Sequence, residues 1–230
     1  MKDIICNSTY FGVLISVIAY EIGLVLKRRY KLAILNPLLF SIACVVALLL
    51  LLDIDYEMYN EGAKYLSYLL TPATVCLAVP LYEQLHLLKS NWKGITAGIL
   101  SGVLTSMVSI LAFSKMFGLS HSEYVTLLPK SITTAIGMGL SEEMGGIVTI
   151  TVISIIITGV LGNVIAEGVC KIFRINDPIA KGIGIGSASH AVGTSKAMEI
   201  GEVEGAMSSL AVAVAGLVTV IFMSVFTQFL

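Results

Sequence analysis

The sequence predicts an all-α integral membrane protein with about seven transmembrane helices plus one re-entrant or broken helix. Of the 230 residues, 57% are hydrophobic and only 13% are charged, and the mean hydropathy is +0.93. These values lie outside the balance of a soluble domain. The long apolar runs are continuous rather than alternating with a period of two, which favours membrane helices over a β-barrel.

The predicted helices come from apolar segments, since a bilayer core of about 30 Å needs roughly 20 helical residues. The first segment carries Glu21 near one end, and four others have almost no charge. Two more polar segments, residues 65–85 and 182–202, bring the number of predicted spans to seven. In chain order the predicted spans are residues 9–26, 32–52, 65–85, 94–113, 146–166, 182–202 and 206–230.

Basic residues between the segments orient the chain, because Lys and Arg stay on the cytoplasmic side of a membrane. The basic cluster at 27–31 places the first loop inside and the N-terminus outside. The basic residues at 171–181 place the end of the 146–166 helix inside. Both ends of residues 127–146 are then outside, so this segment is predicted to be a re-entrant hairpin or a broken helix. We expect a multi-pass protein of the cell (cytoplasmic) membrane.

The whole chain, residues 1–230, is predicted to form one membrane domain. Residues 1–63 hold two helices and an external loop, and residues 119–169 hold the re-entrant segment and the helix after it. Residues 64–118 and 180–230 share a layout of polar segment, acidic residue, short loop and apolar helix. In opposite orientations they would form an inverted repeat, as in many secondary transporters.

That predicted repeat depends on a shift of 116 residues, which aligns Thr74 with His190. Few letters are identical, so chance similarity between membrane helices is the alternative.

Three polar segments, residues 71–84, 129–143 and 182–202, are the candidates for a functional site. Proline removes a backbone donor, and the freed carbonyl groups need protein or a wet cavity as partner. Ionisable groups at membrane depth cost at least about 2.5 kcal/mol and typically mark a substrate or proton route. The predicted helix breaks are Pro72, Pro80, Gly137, Gly139, Gly184 and Gly186. The predicted substrate-binding residues are Thr74, Lys130, Ser131, Thr133, Thr134, Ser187, Ser189, His190 and Thr194, and the predicted ion-coupling residues are His190, Glu142 and Glu199.

Lys130 begins a stretch rich in hydroxyl groups, residues 130–134, beside a predicted helix start. A helix N-terminus adds exposed N–H donors and a partial positive charge. This combination suits a small carboxylate. Alternatively, Lys130 only extends to the membrane interface.

His190 stands out in its segment because an imidazole has little packing use in a span and titrates near physiological pH. At helical spacing, Ser187, His190 and Thr194 are predicted to line one wall of a cavity. Gly182 and Gly186 would let another helix approach closely. Alternatively, the small and hydroxyl residues serve only packing. Lys196 is predicted to pair with Glu199, three residues further on.

Metal, cofactor and enzyme chemistry are not expected. The four cysteines, Cys6, Cys44, Cys76 and Cys170, are far apart and have no CxxC or histidine spacing, so they indicate neither a metal site nor a disulfide framework. No hydrolytic triad can be argued. The absence of a basic stripe argues against a nucleic acid partner, and the expected surroundings are the lipid bilayer.

Four stretches resemble the LrgB/CidB family of bacterial membrane proteins. They are LNPLL at 35–39, LLTPATVCLAVPLYEQ at 69–84, LPKSITTAIGMGLSEEMGGI at 128–147 and INDPIAKGIGIGSASHAVGTSKAMEIGEVEGAMSSLA at 175–211. Two residues depart from the family pattern. Ala135 stands where proline is common, and Gly139 stands where an acidic residue is frequent.

The resemblance implies two kinds of function. One is a holin- or antiholin-like regulator of murein hydrolase export and cell lysis, acting with a small LrgA/CidA-type membrane partner. The other is transport of small monocarboxylates such as pyruvate, glycolate or glycerate, since a plastid glycolate and glycerate transporter is similar to fused LrgA and LrgB. Polar groups concentrated in three interrupted segments favour an ion- or proton-coupled transporter. A homodimer or a complex with the small partner is expected.

Overall fold

The computed structural model describes residues 10–30, 37–69, 72, 75–76 and 78–230, and within these ranges the regular structure is helical, with no strand. The chain divides into two compact units, Met1–Cys76 and Leu77–Leu230. The predicted all-helical class is therefore confirmed for the described part of the chain.

The first unit contains helices α1 (Phe11–Tyr30), α2 (Pro37–Leu51) and α3 (Tyr56–Ser67). Helix α1 packs against the other two, and the Ser16 and Tyr59 hydroxyl groups lie 2.7 Å apart across the contact with α3. Helix α3 begins at the Asp55 cap. On its exposed face, the hydrogen bond from Lys64 to the Glu61 carboxylate raises the pKa of Lys64.

The second unit holds the remaining elements. They are α4 (Ala78–Glu83), α5 (Leu85–Phe117), α6 (His121–Leu127), α7 (Thr134–Glu143), α8 (Val148–Ile172), α9 (Pro178–Ile200), α10 (Glu202–Phe226) and a 3-10 turn (Thr227–Phe229). Its core is an apolar stripe of α5, including Ile99, Val103 and Met107, packed on small and apolar residues of α10 such as Ala211 and Ala215.

Among the described residues, three helical segments are long and apolar enough to cross a membrane: Leu85–Phe117, Val148–Ile172 and Glu202–Phe229. They cover most of three predicted spans, 94–113, 146–166 and 206–230, while α2 is apolar but shorter. The predicted count of about seven is not reached by this criterion. The helix predicted over 65–85 is interrupted near its start, because α3 ends at Ser67 and residues 68–69 form a turn.

Both prolines of that segment lie among the described residues. Pro80 belongs to α4. Pro72 is exposed. The predicted site residue Thr74 lies outside the described residues.

Residues His121–Glu143 form a helical hairpin, here called hairpin 1. Its first arm is α6, its second arm is α7, and its tip is the non-helical stretch 128–133. At the other end, the Ser122 hydroxyl donates to the carbonyl oxygen of Gly145 at 3.0 Å. The segment therefore begins and ends at the same place. Helix α7 has 10 residues, about 15 Å, so it covers only half of a 30 Å bilayer core.

Buried hydroxyl groups hold hairpin 1 onto α8. The Thr126 hydroxyl accepts from the Ile147 amide at 2.7 Å. The Thr151 hydroxyl lies 2.7 Å from the Ser141 hydroxyl and 2.9 Å from the Thr126 carbonyl oxygen. Threonine and serine can satisfy one another away from water in this way, so both arms are bonded to the start of α8.

Helix α9 is also a hairpin, here called hairpin 2, because it is interrupted at His190. The backbone of His190 has φ 43° and ψ −145°, which is not helical. The first arm is residues 178–189 and the second arm is residues 191–200. The predicted breaks at Gly184 and Gly186 are not observed, since the first arm continues through both glycines and the interruption lies four to six residues later.

Contacts with α10 show that the chain reverses at His190. In the first arm, the Gly186 backbone lies against Ser208, and in the second arm the Thr194 hydroxyl lies 2.8 Å from the Ser208 hydroxyl. Towards the open end, Gly182 and Met198 both contact the first turn of α10, at residues 204–205. A straight helix could not reach the same level of α10 twice. Gly182 and Gly186 do allow the predicted close approach of another helix.

Gly137 and Gly139 likewise lie inside a helix rather than at a break. Both belong to α7, and the backbone of Gly137 packs beside the Ile155 side chain. The interruption in hairpin 1 precedes them, next to Pro129. Proline cannot donate the hydrogen bond that a continuing helix needs, which explains this position.

The two hairpins open towards opposite ends of the second unit. At the open end of hairpin 1, the Tyr124 hydroxyl donates to the carbonyl of Phe226 at 2.9 Å, near the C-terminus of α10. Hairpin 2 opens beside the N-terminus of α10, where Ile200 is followed by Gly201 and Glu202. Each hairpin is followed by one long apolar helix.

Corresponding positions in the two hairpins differ by 57 residues. The helix caps are Ser120 and Asp177, and 177 − 120 = 57. The second arms follow Thr133 and His190, and 190 − 133 = 57. Under the predicted shift of 116, the two long helices α5, which has a kink at Asn91, and α10 are aligned with one another, and the repeat of residues 64–118 and 180–230 stays a prediction.

Cysteine labelling in intact cells tests the hairpin. In a variant lacking the native cysteines, Ser122→Cys and Glu143→Cys are expected to react with a membrane-impermeant maleimide from the same side, because residues 122 and 145 are hydrogen-bonded. Phe173→Cys, beyond the other end of the 25-residue helix α8, is the control for the opposite side. Labelling of 122 and 143 from opposite sides would contradict the hairpin. The predicted outside location of the N-terminus stays a prediction.

Candidate functional site

Lys130 lies in the tip of hairpin 1, where this tip meets α5 and the first arm of hairpin 2. Its ammonium group donates to the Ser131 hydroxyl at 3.0 Å. The buried Ser131 hydroxyl lies 3.2 Å from that of Ser106 on α5. A cation is thus connected to two hydroxyl groups well inside the second unit.

A polar cavity of about 460 Å³ surrounds this group. Its walls are α5, the tip of hairpin 1 and the first arm of hairpin 2, and Lys130 is the only ionisable residue among the described part of its lining. Glycine and alanine supply much of the remaining wall. The hydroxyl groups come from Ser101, Thr105, Ser106, Ser109, Ser131 and Ser187.

A second cavity of about 450 Å³ lies between α8 and the first arm of hairpin 2. Its lining is largely apolar, with Ile165 and Val169 from α8, and Lys130 lines it as well. Gly184 and Ala188 line both cavities. Lys130 therefore lies where the two cavities adjoin, beside the small residues Gly184 and Ala188.

The chemistry of the polar cavity favours one small anion. A single ammonium group among neutral hydroxyl donors can neutralise one carboxylate, and a charge-assisted hydrogen bond is stronger than a neutral one. The N-terminus of α7 starts in the same tip, and its cap residue Thr133 makes no side-chain capping bond. Its free backbone N–H groups add a partial positive charge near Thr134.

The predicted wall of Ser187, His190 and Thr194 is not formed, because the chain reverses between them. Ser187 lines the polar cavity. The His190 ring instead contacts α8, with Nε2 2.9 Å from the carbonyl oxygen of Ile155, and Thr194 faces α10. Ser189 packs against Gly162 of α8 and lines the apolar cavity.

The acidic residues predicted for ion coupling lie at the open ends of the hairpins. Glu142 is exposed near the end of hairpin 1. Glu199 lies near the end of hairpin 2 and pairs with Lys196 at 3.1 Å, which confirms that predicted ion pair. Lys196 also pairs with Glu167 of α8 at 2.6 Å. These ion pairs hold the second arm of hairpin 2 on α8 rather than line the polar cavity.

The sequence interpretation missed the contribution of α5. Ser101, Thr105 and Ser109 recur every four residues, and Ser106 lies beside them, in an otherwise apolar span. Residues four apart share one face of a helix. That periodicity was a visible signal, but the 94–113 segment resembles an ordinary span because its mean hydropathy is high.

These features define an integral membrane protein with two opposed helical hairpins and a polar cavity at their meeting point. The chain belongs to the LrgB-like family, whose sequence profile matches residues 16–229. It is 38% identical over 222 residues to the protein named "Antiholin-like protein LrgB" from Bacillus mycoides (strain KBAB4), covering 96% of each chain. Proteins of the same name from Bacillus cereus (strain B4264) and Bacillus anthracis (strain CDC 684 / NRRL 3495) match with the same identity and coverage. No solved structure matches the chain.

Neither the family description nor the names of these relatives denotes an enzyme. Among the described residues, no group of three or more His, Cys, Asp or Glu side chains is placed to hold a metal ion. The family resemblance noted in the four sequence stretches is confirmed.

Proposed function

We propose that this protein is a secondary transporter, or the transporting subunit of a complex, for small monocarboxylates such as pyruvate, glycolate or glycerate. The observation that carries the proposal is the position of Lys130, whose ammonium group is the one cation among the described lining residues of a hydroxyl-lined cavity at the tip of hairpin 1. A pore would need no such cation at the junction of two hairpins.

Substrate would bind with its carboxylate at the Lys130 ammonium group. The other oxygen atoms of the substrate would accept hydrogen bonds from serine hydroxyl groups of the cavity lining, namely Ser131, Ser106 and Ser187. Thr133 and Thr134 would present the N-terminus of α7 to the same anion. One positive charge suits a monocarboxylate better than a dicarboxylate, since a second carboxylate would remain unpaired in a desolvated site.

Opposed hairpins supply a means of alternating access. Inverted-repeat transporters place substrate near the bilayer midplane, at broken helices, and move one part of the protein around this site. Hairpin 1 followed by α8, and hairpin 2 followed by α10, are our candidates for the two repeats. For coupling to an ion gradient, the candidates at the hairpin mouths are Glu142 and Glu199.

The name of the relatives favours a second candidate function. An antiholin-like regulator would influence murein hydrolase export and cell lysis, together with a small LrgA/CidA-type membrane partner. The 96% coverage of relatives that carry the antiholin-like name supports this candidate more directly than any substrate. Lysis control could also follow from moving a metabolite, so the two functions need a direct test.

Reconstitution distinguishes them. The full chain in proteoliposomes, alone and with the small partner, would be given labelled pyruvate or glycolate, with protein-free liposomes as the control. We expect saturable uptake that unlabelled substrate inhibits. Leakage of dyes limited by size but not by chemistry would favour the holin-like candidate. An absence of saturable uptake, with and without the partner, would contradict the transporter.

A further inference from the structure

We infer that His190 is a positioning residue: its ring anchors the tip of hairpin 2 to α8, and it neither binds substrate nor carries a coupling proton. The inference adds to the proposed function, because the anchored tip places Ser187 in the polar cavity. It concerns a residue that the sequence pattern pointed to as a ligand.

The backbone of His190 is in a region that L-residues other than glycine rarely adopt. Three described residues other than glycine have positive φ: Asp53, Arg174 and His190. The first two lie in turns after helix ends, at chain surfaces, while His190 lies in the interior at 4% exposure. Such a conformation persists only where the surroundings hold it. Something near His190 must therefore stabilise the reversal.

The ring provides this stabilisation through one directed hydrogen bond. Nε2 lies 2.9 Å from the carbonyl oxygen of Ile155, and since a carbonyl only accepts, Nε2–H is the donor. Ile155 is fully buried. The bond therefore joins the tip of hairpin 2 directly to the backbone of α8.

Gly159 makes room for the ring, one turn after Ile155. A Cβ atom at Gly159 would lie 2.6 Å from Cε1 and 2.7 Å from Nε2 of His190. A residue with a side chain at position 159 would therefore overlap the imidazole ring, and glycine leaves the space that the ring occupies. His190 is not among the described residues that line either of the two cavities next to Lys130. This position argues against direct contact between His190 and substrate.

The anchoring role makes a prediction about replacements. Gln places an amide N–H near the position of imidazole Nε2 but cannot carry a proton, whereas Ala provides neither the donor nor the ring. Gly accepts the backbone conformation but lacks the anchor. We expect His190→Gln to keep the tip in place, and His190→Ala and His190→Gly to release it.

Protection of a cysteine at Ser189 measures the tip directly. Ser189 is buried against Gly162 of α8, so Ser189→Cys, in the full chain without its native cysteines, should react slowly with a maleimide. We expect labelling about tenfold faster with His190→Ala, His190→Gly or Gly159→Ala, because each frees the tip from α8. Gly168→Ala, on the same helix with open space around it, is the control and should leave labelling unchanged.

Uptake separates positioning from proton coupling. His190→Gln should retain cysteine protection and most of the uptake, while His190→Ala should lose both, in protein shown to be monodisperse in detergent. Unchanged labelling with His190→Ala would overturn the inference. Loss of uptake with His190→Gln despite full protection would also overturn it, in favour of a coupling role. If no variant, wild type included, shows uptake, the proposed function fails while the labelling result still decides the role of His190.

Discussion

Replacing Lys130 with Ala is expected to raise the KM for monocarboxylate uptake by roughly 10- to 100-fold, since a hydrogen bond to a charged group contributes about 1.5–3 kcal/mol. Among the described residues that line the polar cavity, Lys130 is the only ionisable one, so no other described residue of the lining supplies a cation. The measurement is the concentration dependence of labelled pyruvate or glycolate uptake into proteoliposomes. Lys130→Arg keeps the charge and should lose less.

Lys115→Ala is the matched control, because Lys115 is exposed in the last turn of α5. Its uptake should equal that of wild type. If Lys130→Ala leaves KM and kcat unchanged while substrate uptake is intact, the cavity around Lys130 is not the anion site. Ser106→Ala and Ser187→Ala are expected to give smaller increases in KM, since each removes a neutral donor instead of a charge.

Hairpin 1 could be predicted from the sequence because three separate signals agree there. The loop charges put both ends of the segment on one side, Pro129 interrupts the helix, and Gly145 and Gly146 permit a turn. Gly145 indeed has φ +77°. The tip around Lys130 was identified from its composition, since a cation followed by hydroxyl residues beside a predicted helix start is conspicuous in an apolar segment.

Hairpin 2 could not be predicted in the same way. Its sequence has no proline at the reversal, and its glycines suggest breaks in the first arm, where the helix is in fact continuous. Of these, Gly186, together with Gly182, allows the close contact with α10, while a Cβ atom at Gly184 would meet open space. The reversal depends on a bond between His190 and Ile155, 35 residues apart in sequence. Local pattern carries no information about such a partner.

The reversal at His190 also explains why Ser187, His190 and Thr194, which were predicted to share one helical face, contact different neighbours. The periodicity argument assumes one continuous helix through Ser187, His190 and Thr194. Once the chain reverses at His190, residues on either side no longer share a face. The two hairpins nevertheless have matching lengths, since their caps and the starts of their second arms are each 57 residues apart.

The role given to those glycines makes Gly186→Val the other change with a large expected effect. A Cβ atom at Gly186 would lie 2.9 Å from the Ala211 Cβ and from the Ser208 Cα, and closer still to the Ser208 carbonyl oxygen. Overpacking of this kind costs about 1–3 kcal/mol. For a chain of this size we expect the Tm in detergent to fall by roughly 3–10 °C, measured by thermal unfolding of the purified protein.

Gly184 supplies the matched control, because it is in the same arm two residues away and a Cβ atom there would meet open space. Any effect of valine on helix propensity applies to both positions, so the difference in Tm between Gly184→Val and Gly186→Val isolates the contact with α10. Equal Tm values would mean that hairpin 2 and α10 do not pack closely. A lower Tm for Gly186→Val alone would mean that the first arm packs against Ser208 of α10. Because Thr194 of the second arm also contacts Ser208, this result would support the reversal at His190.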